Sequence, residues 1–280
     1  MTDQKTPHSR VYFPHFKRVF QCLTLSTCLV LTLGCSAVSK PNTFTFVPDF
    51  PPDFKYDLTA TYVPAKGQTC SVPGGRDTQL GFNKTNMKYE GTSVVPLYRT
   101  VSDCPLALNH VEIKIIGVIG RDKKRDYLGY DYASFAVRPE LLERQMGSFS
   151  DDNTGEFFGE CQWLFRTVGR KRYITKILTC KKMDAQGKVG RGRPSTAYTL
   201  TQLSGKTVRL KIKLSEQEKP AIEDTWSKVP GGWKRCMGDN FEDQYAFCYG
   251  NHKDFSTFRM VDERICTIYP GCTENKDETP

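Results

Sequence analysis

The sequence contains little histidine and lacks the short motifs that mark common enzyme sites. Four histidines occur among 280 residues, and His110 and His252 are the two that follow the first 40 positions. Neither lies in a Gly-x-Ser-x-Gly or His-Glu-x-x-His pattern, which would place a nucleophile or a zinc-bound water. We therefore expect a protein that is not an enzyme and uses no cofactor, with an enzyme that relies on scattered carboxylates as the alternative.

The chain also lacks an apolar run long enough to cross a bilayer. Its main apolar run, Val19–Leu33, has 15 residues, whereas a transmembrane helix needs about 20. Lys17 and Arg18 precede this run directly. A short apolar stretch behind a basic flank is typical of an export signal that is removed from the mature protein.

The apolar run ends in Leu33-Gly34-Cys35-Ser36, which resembles the lipobox of bacterial lipoproteins. In that family the cysteine becomes the first residue and carries acyl chains, so the resemblance implies that Cys35 is lipidated, as with palmitate. Two or more acyl chains hold a protein firmly on a membrane. Because Ser36 is not Asp, the resemblance implies sorting to the outer membrane, on the inner leaflet that faces the periplasm. Cleavage after Ala37 and an uncleaved anchor are the alternatives.

The cysteine spacing that is typical of zinc sites is absent. The chain has 11 cysteines, but none of them forms a Cys-x-x-Cys pair. Cys22 and Cys28 leave with the signal segment and Cys35 is acylated, so eight cysteines remain in an oxidising compartment. An even number there predicts four disulfides and no metal site. The last four cysteines could also exchange partners. Nearest-neighbour pairing is the simplest of the 105 connectivities and gives Cys70–Cys104, Cys161–Cys180, Cys236–Cys248 and Cys266–Cys272.

Strongly concentrated charge is also missing. The net charge of +9 falls to +6 when the first 34 residues, with four basic and one acidic side chain, are removed. Nucleic-acid binders concentrate far more positive charge on one face, so we exclude a nucleic-acid partner. A mild positive excess can steer an acidic protein or the anionic surface of the envelope toward the chain.

Helical periodicity is rare beyond the signal segment, and alternating strand patterns dominate. Tyr56–Tyr62 alternates apolar and polar residues, and Tyr198–Leu203 with Thr207–Leu214 predicts a hairpin. Tyr245–Tyr249 has a shorter strand pattern, and Pro139–Met146 is the best helix signal. The pattern predicts a mainly β fold of antiparallel sheets, a sandwich or an open barrel, stapled by disulfides and with one short helix.

Composition divides the chain into five segments, with a polar run after residue 147 as the boundary between two β-rich halves. The tether is rich in proline and the last segment is short and polar. The segments are a signal peptide (1–34), a tether (35–54), an N-terminal half (55–147), a C-terminal half with disulfides (148–272) and a disordered tail (273–280).

Two surface features predict that this protein binds another protein. Arg209, Lys211 and Lys213 point outward from one strand, a basic row that suits an acidic partner, although a solvated sheet face is the simpler interpretation. Trp233 lies in a cysteine-stapled loop beside basic residues, a composition typical of interface hot spots, although it could simply cover a small core.

These features together predict a non-catalytic envelope lipoprotein that binds a protein partner in the periplasm. One concrete version is an immunity lipoprotein that neutralises a toxin. A cell-wall or lipid-modifying enzyme and a structural or assembly lipoprotein of an envelope machine are the alternatives.

Overall fold

The computed structural model of the protein describes residues 41–72, 80–86, 91–122, 125–240, 243 and 245–272. The predicted signal segment, Cys35 and the predicted tail after residue 272 lie outside the described residues. Within the described ranges no helix is long and apolar enough to cross a membrane. Strands supply nearly all of the regular structure there, so the prediction of a mainly β fold is confirmed.

The first of three sheets mixes parallel and antiparallel pairs. Its strands, numbered in chain order, are β1 (Thr43–Asp49), β4 (Ser93–Pro96), β8 (Thr154–Val168), β9 (Tyr173–Met183), β11 (Thr207–Leu214), β12 (Lys219–Pro220), β16 (Phe258–Arg259) and β17 (Ile265–Cys266). Their order is β17-β16-β9-β8-β11-β1-β4, with β12 also beside β8. β11 is parallel to both β1 and β8. The sequence predicted antiparallel sheets, but residue alternation carries no information about strand direction.

The second sheet is built around two long strands. Its members are β2 (Phe54–Pro64), β3 (Leu80–Asn86), β5 (Tyr98–Val101), β6 (Cys104–Asp122), β7 (Arg125–Arg138) and β10 (Ser195–Thr199). The main path is β10-β7-β6-β2-β3, and β5 pairs with β6. β6 is antiparallel to β2 and β7, whereas β10 is parallel to β7.

One apolar core lies between these two sheets. The Phe135 ring of β7 contacts Phe44 of β1 and Phe157 of β8, with ring centroids 5.5 and 6.4 Å away. Buried side chains of β2, β6 and β11 belong to the same cluster. The two sheets therefore form a sandwich whose inner faces interdigitate.

The segment predicted to be a proline-rich tether is partly a core strand. Thr43–Asp49 form β1, which lies between β4 and β11, and Phe44 and Phe46 are fully buried. Burying a phenylalanine contributes about 1.5–3 kcal/mol. The two rings therefore favour packing of this segment on the body over an extended tether.

The predicted boundary at residues 147 and 148 does not separate two cores. β1 and β4 come from before it and join the first sheet, whereas β10 comes from after it and joins the second. The described residues form one compact unit. Because strands cross the boundary in both directions, the two predicted halves form one body, which composition alone does not reveal.

The helix predicted at Pro139–Met146 is only a single 3₁₀ turn. The turn covers Glu143–Gln145 and buries none of its residues. A helix this short needs an apolar face packed on the protein to be stable, and this one has none. The helix signal in the sequence was therefore misleading.

The short α-helix lies instead at α1 (Leu200–Leu203). Thr199 and Gln202 form a capping box at its start, and Leu203 is buried. α1 carries the chain from β10 in the second sheet to β11 in the first. The hairpin predicted over residues 198–214 is therefore wrong, because the helix redirects the chain between layers.

The third sheet is small and covers the outer end of β8. Around β14 (Gly232–Cys236) it arranges β13 (Trp226–Val229), β15 (Phe255–Ser256) and β18 (Tyr269–Pro270). Beneath these strands lies a second cluster of buried residues, mainly aromatic, that includes Phe165 of β8. Residues 216–272, which contain this sheet, are called the C-terminal region below.

Four disulfides staple the fold, as the sequence predicted. Each cysteine pairs with its nearest neighbour in the sequence, and the last two pairs do not exchange. A disulfide adds about 2–4 kcal/mol by restricting the unfolded chain. The pairs are Cys70–Cys104, Cys161–Cys180, Cys236–Cys248 and Cys266–Cys272.

Candidate functional site

A cleft of about 710 Å³ opens where β8 meets the third sheet. β8, β12, β13, β14 and β18 contribute to its walls, together with the connection after β11. This volume lies within the range of about 300–1,000 Å³ that is usual for ligand pockets. The aromatic residues that line the cleft are Phe165, Trp226, Trp233 and Tyr269.

The aromatic rings of the cleft form a packed floor with one accessible member. The Phe165 ring centroid lies 4.2 Å from that of Tyr269, 5.0 Å from that of Trp226 and 6.1 Å from that of Trp233. Phe165, Trp226 and Tyr269 are buried, whereas Trp233 is half-buried. Trp233, the partner-binding candidate from the sequence, therefore both covers the second core and borders the cleft.

Carboxylates outnumber ammonium groups along the cleft. Its acidic residues are half-buried Glu218 and exposed Glu216, Glu223 and Asp224, and its basic residues are Lys219 and Lys228. The protein as a whole is basic, with a net charge of +9. The cleft therefore forms a locally negative surface on a positively charged protein.

Glu218 is held in place by two neighbours. Its carboxylate accepts a hydrogen bond from the Tyr269 hydroxyl and forms a salt bridge of 2.6 Å with the Lys176 ammonium. Burial raises the pKa of Tyr269 above its ordinary value, and the hydrogen bond that the phenol donates to the Glu218 carboxylate raises it further. Tyr269 is therefore a neutral phenol at physiological pH, which suits a packing and positioning role.

Trp226 lines the cleft and has an unsatisfied, buried donor. It is only 5% exposed, and among the described residues its indole N–H has no hydrogen-bond partner. The Arg235 guanidinium lies 5.5 Å from the Trp226 ring. A buried donor without an acceptor costs about 1–3 kcal/mol, so this N–H lowers the stability of the packed floor.

A second aromatic group borders the cleft at Asp224. Tyr245, Phe247 and Tyr249, called the aromatic ladder below, have ring centroids 6.0 and 5.7 Å apart in succession. Tyr245 and Tyr249 are exposed. The Asp224 carbonyl accepts from the Cys248 N–H at 2.6 Å, and its carboxylate accepts from the Tyr249 N–H at 3.2 Å. The cleft rim and the ladder are therefore directly connected.

Buried groups hold the backbone of the ladder in place. The Arg235 guanidinium donates to the carbonyls of Tyr245 and Ala246 at 2.6 and 2.9 Å, and the Cys236–Cys248 disulfide closes the same loop. Ala246 and Tyr249 both have φ of 47°, a conformation that non-glycine residues adopt only when their surroundings require it. The exposed rings are therefore presented on a fixed backbone.

The sequence indicated a strand where this ladder lies. Residues 245–250 form no strand in the structure, because three of them have left-handed backbone. The alternating Tyr-x-Phe-x-Tyr pattern was the signal that could have identified the exposed aromatic group. Its position beside a cleft depends on contacts distant in the sequence and could not be read from the pattern.

The basic row lies apart from the cleft. Arg209, Lys211 and Lys213 alternate with buried residues along β11, as expected, and none of the three lines the cleft. Glu156 on β8 pairs with Arg209 at 3.3 Å and with Lys211 at 2.9 Å. The row is therefore partly neutralised, which weakens its attraction for an acidic partner.

The two histidines in the described part of the chain lie apart from the cleft. His252 Nδ1 lies 2.7 Å from the Ser227 hydroxyl, but Ser227 is only 8% exposed and packs against the Cys236–Cys248 disulfide. His110 lies within β6, where burial lowers its pKa. Cys236, Cys248 and His252 bring their donor atoms within 4.8 Å of one another, but the disulfide leaves no thiolate to bind a metal.

Cys35, the predicted lipidation site, lies outside the described residues. In the described part of the chain, the cleft and the aromatic ladder combine exposed aromatic rings, local charge and a fixed backbone. The chemistry of these two features must therefore carry any functional conclusion. No protein-family model, curated protein or solved structure matches this chain.

Proposed function

We propose that this protein is a non-catalytic lipoprotein of the bacterial envelope that binds a protein partner in the periplasm. It is anchored to the outer membrane through acylated Cys35, and a toxin-neutralising immunity lipoprotein is one version of this function. The observation that carries the proposal is the cleft at Trp233 joined to the exposed aromatic ladder. The basic row on β11 is a secondary contact surface for an acidic part of the partner.

The ladder has the properties of an interface hot spot. Tyrosine and tryptophan supply large contact areas and are enriched among residues that dominate binding energy. Tyr245 and Tyr249 are 61% and 66% exposed, yet their backbone is fixed by Arg235 and a disulfide. A fixed backbone lowers the entropy that binding must overcome.

The cleft favours recognition over acid–base chemistry. Glu218 is already engaged by Lys176 and Tyr269, and the phenol of Tyr269 stays protonated. A general base must be able to accept a proton from substrate near neutral pH. Neither residue is free to do so, and the other carboxylates of the cleft are exposed to solvent, which supports a binding role.

Site-specific photo-crosslinking in cells tests the partner proposal. A photoreactive phenylalanine analogue at Tyr249 should crosslink one stoichiometric protein, identified by mass spectrometry. The matched control places the analogue at Tyr130, a tyrosine of similar exposure (55%) on β7 in the second sheet, where no such product should form. A toxin-like partner supports immunity, and several machine subunits would favour the assembly alternative. No partner, together with turnover of an envelope substrate, would overturn the proposal.

Replacement of Cys35 tests the anchor separately. Cys35→Ala should release the protein from the membrane fraction, because two or more acyl chains account for the attachment. Mass spectrometry should show an acylated N-terminal cysteine in the wild type only. Unchanged membrane attachment and unchanged mass in the variant would show that the anchor is different.

A further inference from the structure

We propose that the cleft receives a cationic side chain, an arginine or lysine of the partner, between Trp233 and the exposed carboxylates. This inference rests on the proposed function and adds the chemistry of the contact. It commits to a basic polypeptide segment as the occupant. The charge of the cleft and its aromatic rings both favour such an occupant.

The charge of the cleft is the first argument. Among the described residues, neither Glu216 nor Glu223 forms a salt bridge, although both line the cleft and are exposed. Glu218 is paired with Lys176, and the three remaining carboxylates outnumber the two lysines of the cleft, so the surface is negative. Charge complementarity selects a cationic group over a neutral or acidic one.

The aromatic floor already accommodates cations from within the protein. The Lys176 ammonium lies 5.9 Å from the Tyr269 ring centroid, and the Arg235 guanidinium lies 5.5 Å from the Trp226 ring. These distances are within the range of about 6 Å that is typical of cation–π contacts. Trp233, half-buried at the same cleft, offers an accessible ring for a cation from outside.

The occupant is a polypeptide side chain because the proposed function is the binding of a protein. The half-buried Trp233 ring at the cleft then selects among the cationic side chains. Guanidinium is weakly hydrated and stacks on aromatic rings, so arginine fits the combination best.

Peptide titration of the purified full-length protein in detergent micelles tests the inference. Acetyl-Gly-Arg-Gly-amide should shift tryptophan fluorescence in a saturable way. The citrulline analogue, which keeps the shape of arginine but not its charge, should bind at least about fivefold more weakly. Raising the salt concentration from about 0.05 to 0.5 M should weaken binding of the arginine peptide.

Matched variants localise the effect. Glu223→Gln should weaken arginine-peptide binding about fivefold and Trp233→Leu about tenfold. Glu156→Gln, which removes a carboxylate outside the cleft, should leave binding unchanged. Circular dichroism checks that each variant is folded. Because Glu223 is exposed, Glu223→Gln should fold normally and tests the inference even if Trp233→Leu misfolds.

Two results would overturn the inference. Equal binding of the arginine and citrulline peptides would show that charge does not select the ligand. Tighter binding of a neutral chitotriose would show a sugar site instead. If either occurred while the Tyr249 crosslink to a partner persisted, the cationic contact would be wrong and the partner proposal would stand.

Discussion

The sandwich and the C-terminal region are stabilised in different ways. The sandwich uses strands of up to 19 residues, as in β6, and one large apolar core. In the C-terminal region the strands have two to five residues. Strands this short satisfy few backbone groups, and buried backbone groups must find other partners.

Buried arginines provide many of those partners. Arg235 is 2% exposed and donates to Thr167 Oγ1 and to the carbonyls of Thr225, Tyr245 and Ala246. Arg172 is 3% exposed and donates to four further carbonyls, those of Cys236, Met237, Asn240 and Asp243. A region with little sheet can therefore still present a rigid surface when guanidinium groups replace the missing hydrogen bonds between strands.

Replacing Arg235 should have the largest effect on this contrast. Arg235→Met removes the donor to Thr167 Oγ1 and to the carbonyls of Thr225, Tyr245 and Ala246. This loss should cost about 3–5 kcal/mol and unfold the C-terminal region locally. Hydrogen exchange measured by mass spectrometry should rise across residues 226–272 and stay low in β2 and β6. Arg209→Met is the control, because Arg209 is a half-exposed residue of β11. Equal protection in both variants would mean that Arg235 does not hold the region together.

Removing one disulfide from each region should cause a stability loss of intermediate size and should distinguish the two regions. Cys236→Ala with Cys248→Ala and Cys161→Ala with Cys180→Ala should each lose about 3 kcal/mol. The first pair should expose only the C-terminal region to proteolysis and abolish the Tyr249 crosslink. The second pair joins β8 and β9 beside the main core, so it should lower the stability of the whole sandwich. Identical proteolysis patterns would contradict a difference between the regions.

Local alternation made the strands of the sandwich predictable, but it left an open barrel as the alternative architecture. Tyr56–Tyr62 alternates in sequence, and Tyr56, Leu58, Ala60 and Tyr62 are all buried in the structure. The disulfide pairs were also predictable, because each closes a loop between neighbouring cysteines. Both kinds of signal can be read from the order of residues along one sequence.

The cleft was not predictable, because its parts are far apart in the chain. Phe165, Trp226 and Tyr269 lie on β8, β13 and β18, and no local pattern indicates that they meet. Arg235 is one of the basic residues beside Trp233 in the sequence, and it is buried. A charged side chain is normally exposed, so only the three-dimensional structure reveals that this one satisfies carbonyl groups.

The smallest expected effect concerns Tyr198 in the sandwich core and appears only at high pH. Burial raises the pKa of Tyr198 to about 12 from an ordinary value of 10.0. Between these values the unfolded chain loses the tyrosine proton and the folded chain keeps it, so the free energy of unfolding falls as pH rises, by up to about 1.4 kcal/mol per pH unit for this group. Below pH 10 its contribution is constant.

Tyr198→Phe should therefore change the slope of stability against pH. Urea unfolding of the variant between pH 10 and 12 should show a shallower loss of stability than the wild type, with little difference between the two at pH 7. Tyr130→Phe is the control, because Tyr130 is 55% exposed and should leave the slope unchanged. Since Tyr198 lies in the sandwich core, the sandwich transition should carry the change and the local opening of the C-terminal region should not. If the pH slope changed only for the local opening of the C-terminal region, the two regions would not unfold as separate units, and the contrast between them would be wrong.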